Sequence, residues 1–166
     1  SISANGRIVA FESDATNLVG GDSNGSSDVF VHDRQSAATT RASVDSAGVQ
    51  ADWRSGYPSL SADGRFVAFE SEASNLVDRD TNRTTDTFVR DRHAGTTRRA
   101  SVHSGGSQGD DKSEYPPSIS ADGQVVAFQS YASNLVPGDT NQDPDVFVRR
   151  IECDADAAWS NYGSGF

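Results

Sequence analysis

Nine residues, Ser61-Ala62-Asp63-Gly64-Arg65-Phe66-Val67-Ala68-Phe69, recur with small changes at 3–11 and 120–128. Gly6, Gly64 and Gly123 are spaced by 58 and 59 residues. Asn17, Asn75 and Asn134 keep that spacing, each followed by Leu-Val, and so do Asp28, Asp86 and Asp145, each heading a β-prone triplet. Self-similarity at a fixed period means that one structural unit is used repeatedly. The units are 1–58, 59–117 and 118–151, with the tail 152–166 as a substitute outer strand or a linker. The extra residue of the second interval is Pro116 or Pro117.

Each unit reads as four strands. Asn-Gly or Asp-Gly predicts a two-residue type I′ hairpin turn, because these dipeptides accept positive φ. The following run, such as Phe66-Val67-Ala68-Phe69, is apolar at consecutive positions, so both of its faces should be covered. In the second unit the strands are expected at 59–61, 65–71, 86–91 and 96–102. Four antiparallel strands per unit, with sheets stacked face to face, describe an all-β propeller blade. A β-sandwich would alternate, with one wet face per strand.

The pattern Pro-Ser-(Ile/Leu)-Ser-Ala-Asp-Gly-x-x-Val-Ala-Phe, followed by Asp-(Val/Thr)-Phe-Val-x-Asp, resembles the TolB-type (WD40-like) β-propeller repeat over residues 1–151. The resemblance implies propellers of six to eight blades in bacterial, often periplasmic or extracellular, proteins. They serve there as binding and scaffold modules or precede catalytic domains. Repeat length departs from that pattern, since the usual blade is nearer ~40–45 residues. Three blades are half of a six-bladed ring or a segment of a larger propeller. Self-association would cover both apolar end faces at once.

The net charge of −10 repels phosphate backbones, which argues against nucleic acid as a partner. No apolar run reaches the ~18 residues needed to cross a bilayer. The chain begins at Ser1 and contains no Met, as expected for a piece of a longer polypeptide, so a missing leader carries no weight. The lone Cys153 has no internal partner.

Much of the acidity sits in three loops. Side-chain oxygens recur at alternate positions: Asp22, Asn24, Ser26 and Asp28; Asp80, Asn82, Thr84 and Asp86; Asp139, Asn141, Asp143 and Asp145. Alternate oxygen donors in a tight loop are how calcium is wrapped in EF-hand-like sites, here with weak affinity for want of a distal bidentate Glu. The competing reading is Asx turns, in which the same side chains bond local backbone amides. Calcium is the only cofactor expected.

His32, His93 and His103 share no repeat position, and no nucleophile elbow, phosphate loop or zincin motif is present. No catalytic residue is assigned. The polar segments 45–56 and 103–114 differ most between units and should form one rim. Trp53, Arg54 and Asp111 are the candidate contacts there for a protein or glycan ligand, Asp111 standing where Trp53 does one repeat earlier. Tyr57 and Tyr115 repeat and are expected to pack between blades. The expected function is a non-catalytic extracellular or periplasmic binding and scaffold module. The alternative is an accessory propeller gating a hydrolase domain that lies outside this chain.

Overall fold

A computed structural model describes residues 1–141 and 143–151. It is all-β, with strands β1 (Ile8–Ser13), β2 (Asp28–Asp33), β3 (Ala38–Arg41), β4 (Ser55–Leu60), β5 (Phe66–Ser71), β6 (Asp86–Asp91), β7 (Thr96–Arg99), β8 (Ser118–Ile119), β9 (Val125–Ser130) and β10 (Asp145–Arg150). They form three antiparallel meanders, β1-β2-β3, β4-β5-β6-β7 and β8-β9-β10. The first lacks a full inner strand and keeps only an Ile2↔Val9 bridge. The substitute outer strand expected in 152–166 and Cys153 lie outside the described residues. The inner strand β4 starts at Ser55, so the unit boundary expected after Pro58 falls inside a strand. Pro58 sits where the β4–β5 register shifts between Gly56 and Ser59, a place that needs no ladder donor.

The sheets stack, and the same repeat positions meet at each seam. Ile8, Ala10, Val29 and Val31 of the first sheet pack on Leu60, Val67, Phe69 and Phe88 of the second. Phe66, Ala68 and Val89 on the other face of the second sheet pack on Ile119, Val126 and Phe128 of the third. Among the described residues, only the middle sheet is covered on both sides. Every residue of β5 is buried, whereas its counterparts β1 and β9 alternate between buried and partly exposed. Unbroken apolar patterning is the mark of a strand with two dry faces.

The turn differs from the type I′ expectation. Gly64 N donates to Ser61 O, so the glycine is the fourth residue of the turn. Gly6, Gly64 and Gly123 have φ of 68°, 73° and 73°, while Asn5, Asp63 and Asp122 do not take positive φ. This is a type I turn followed by a left-handed glycine. The acid stays right-handed because its side chain has work: Ser61 Oγ donates to Asp63 Oδ1, and Arg65 N donates to the same oxygen. Phe66 N then donates to Ser61 Oγ. Glycine is also required by crowding. A Cβ on Gly64 would stand 2.7 Å from Ile8, and one on Gly123 2.2 Å from Phe66, both on the preceding sheet. The turn also stitches the sheets together, since Ala4 N donates to Ala62 O and Ala62 N to Ala121 O.

Candidate functional site

The acidic loops fold around arginine. Register places Arg41 opposite Phe30 and Arg99 opposite Phe88, on the outer strands next to the loops. Arg41 lies 3.2 Å from both Asp22 and Asp28, and Arg99 lies 3.1 Å from Asp80 and 3.5 Å from Asp86. All six side chains are buried. Asn24 Oδ1 accepts from Ser26 N as an Asx turn, and its amide nitrogen donates to Ala51 O. Asn82 likewise donates to Asp86 and Gly109 O. Ser43 and Ser101 donate to Asp28 and Asp86. In these two loops a guanidinium lies against the paired carboxylates, and the asparagines turn donor groups inward. Burial pushes Asp80 up to about 6 and raises Asp86, with Arg99 opposing both shifts. Among the described residues, no group of three or more acids, histidines or cysteines is placed to hold a metal ion. In the third loop Asp143 N donates to Asn141 Oδ1 and Asn141 Nδ2 to Asp145.

The rim carries an open cleft of about 530 Å³ lined by Asp52, Trp53, Glu72, Ser74, Arg83, Thr84, Thr85 and Glu114. Four segments meet there: the link into β4, the end of β5, the approach to β6 and the link into β8. Both oxygens of Asp52 are held by Ser74, through its backbone N and its Oγ, each at 2.8 Å. Trp53 Nε1 donates to Glu72 Oε2 at 3.0 Å, and Glu72 N donates to Arg54 O. The indole is thereby fixed while 56% of Trp53 stays exposed.

Arg54 stacks on Tyr57, with 5.3 Å from its guanidinium carbon to the ring centroid, and lies 3.8 Å from Glu12. Asp111 does not line the cleft; its side chain accepts from Lys112 N. Tyr57 and Tyr115 are 42% and 52% exposed with φ of 54° and 85°. The expectation that they pack between blades is therefore corrected. Both take positive φ, and at Tyr57 this coincides with the β4–β5 register shift, a backbone feature that leaves no periodic trace.

The acid missed by sequence reasoning is Glu70. In the first seam Glu12 Oε2 accepts from Tyr57 N at 2.8 Å, which requires Gly56, since a Cβ there would stand 2.5 Å from that oxygen. In the second seam Glu70 holds the Glu12 position, but Glu114 holds the Gly56 position. Glu70 is buried with Oε1 unpaired. Burial, helped by the charges of Glu114 and Glu12 and opposed by Arg54, pushes it up to about 7. The missing signal was available as one glycine replaced by an acid at an otherwise repeated position.

Stacked antiparallel meanders joined in series define a β-propeller. The fold is more narrowly a TolB-like propeller. The chain superposes on TolB from Acinetobacter baumannii with a TM-score of 0.52 at 12% identity, covering 92% of this chain and 29% of that one. It matches the tricorn protease with a TM-score of 0.56 at 14% identity, covering 99% of this chain and 15% of that one. For the β-propeller domain of the Trilobed protease from Pyrococcus furiosus, the TM-score is 0.50 at 11% identity, covering 87% and 37%. The chain thus spans well under half the length of each of these neighbours. No family model and no curated relative matches its sequence. No helix of the described residues is long and apolar enough to cross a membrane.

Proposed function

We propose that the chain is a non-catalytic propeller module of an extracellular or periplasmic protein, completed by a second copy of itself, with its rim as a contact surface. The observation that carries this is a difference between equivalent residues. Val29 and Val31 of the first sheet are 0% and 1% exposed, and Thr87 and Val89 of the second are 1% and 3% exposed. Their counterparts in the third, Val146 and Val148, are 69% and 55% exposed. A face built to be covered twice within the chain is bare at its end, and such a patch marks an interaction surface. The opposite end offers the matching face, around Val9 and Phe11, which are only partly buried. Light scattering at micromolar concentration should give the mass of two chains, reduced to one by Val148→Asp. A single-chain mass for the unsubstituted protein would remove self-association and leave the open face to further blades of a longer polypeptide.

Calcium enters this reading at the third loop, which carries three carboxylates, Asp139, Asp143 and Asp145, against two in each of the others. Millimolar calcium should raise the melting temperature, and Asp139→Asn should abolish the rise. A melting temperature unmoved by calcium and by chelator would end the metal hypothesis.

A further inference from the structure

From the composition of the rim cleft we propose that it binds a cationic group, the ammonium or guanidinium of a basic peptide side chain, against the face of Trp53. This rests on the reading of the rim as a contact surface and names the ligand class. Three carboxylates, Asp52, Glu72 and Glu114, line the cleft together with one arginine, Arg83. Asp52 is spent on Ser74, so Glu72 and Glu114 carry the recognition. The Nε1 edge of Trp53 is occupied by Glu72, which leaves the indole face as its ligand-binding element. Tryptophan presents the best aromatic face for a cation, and a carboxylate fixed at its edge adds to the attraction. Among the described residues, Glu114 is bound by the surface pair with Lys112 at 2.9 Å, both side chains 40% exposed, a contact weak enough for an incoming cation to displace. The volume, about 530 Å³, suits one or two side chains rather than a folded surface.

The test is a calorimetric titration of the intact chain with trilysine peptide, spermidine and chitohexaose, repeated with Trp53→Leu and Glu114→Gln. Trp53→Leu keeps the net charge and alters an exposed residue, so it separates the indole face from the general attraction of an acidic protein for cations. The expected result is saturable trilysine binding, weakened at least tenfold by Trp53→Leu and several-fold by Glu114→Gln. Spermidine binding more tightly than trilysine, with the same losses, would keep the cation site and point to free polyamines as its source. Trilysine binding unchanged in Trp53→Leu would overturn the inference. Chitohexaose binding that depends on Trp53, with no trilysine binding, would overturn the cationic ligand while keeping the rim as a contact surface. Silence from all three probes would overturn the ligand class, whereas self-association is judged separately by the mass of the particle.

Discussion

Replacing Arg99 by Met should cost about 3–5 kcal/mol of unfolding free energy, the loss expected when one member of a buried ion pair is removed. Its partners cannot escape. Asp80 and Asp86 have side-chain exposures of 4% and 0%, and Arg99 itself 5%. Without the guanidinium two carboxylates share a dry pocket, and Gln108, which accepts from Arg99 at 2.7 Å, loses its donor as well. A domain stable by ~5–15 kcal/mol feels such a loss strongly. Urea unfolding at low temperature gives the number. Adding Asp80→Asn and Asp86→Asn to Arg99→Met should recover a large part, because neutral amides do not repel. A loss under about 1 kcal/mol for the single variant, or no recovery in the triple one, would mean that the loop is not held by charge. Arg41 should behave alike in the first sheet, where its partners are buried just as deeply.

Glu70→Gln should stabilise the fold at pH 8 and leave it nearly unchanged at pH 5. The folded-state value is raised from 4.5 to about 7, so the folded chain holds a proton that the unfolded chain has released. Stability from this group is complete below about 4.5 and is lost as pH rises through 7. The full shift corresponds to about 3 kcal/mol. Solvent near the rim screens part of it, so a gain of roughly 1–2 kcal/mol at pH 8 is expected. Asp80, also raised, slopes the same way, and Asp33, lowered by its bond to Arg7, slopes the opposite way. The difference between the parent and Glu70→Gln isolates the one residue. Urea midpoints across pH 5–8 supply the comparison, and an equal effect at both ends would show that shape, not ionisation, is at work.

The architecture was legible because a repeat carries two messages at once: a turn motif fixes where strands begin, and unbroken apolar runs state that both faces are dry. The third strand of the second unit was placed at residues 86–91, where β6 lies. The fourth was read as far as 102, but β7 stops at Arg99 and the chain turns into a small hairpin bridged at Val102↔Gln108. Whether a metal ion or an arginine answers the acidic loops was not legible, for a reason of distance. Arg41 and Arg99 are more than a dozen residues from the acids they serve, and only strand register brings them back. Spacing within a loop shows oxygens at alternate positions but not which cation answers them. The outward turn of Tyr57 was hidden similarly, since a bulge is a backbone event that side-chain patterning does not record. Trp53 was legible as a candidate contact because it breaks the repeat. Its partner Glu72 was not, since their pairing crosses from a connecting segment to the end of a strand.

The stitching of alanine to alanine has a sense of direction. Ala4 gives its amide proton to Ala62, and Ala62 gives its own to Ala121, so each sheet donates to its successor. A newcomer at one end must therefore arrive as an acceptor, and at the other as a donor. Two like ends would set oxygen against oxygen or hydrogen against hydrogen. Growth is thus one-way, like links that hook only nose to tail, and the assemblies it permits are closed circles or rising spirals rather than mirror-faced pairs.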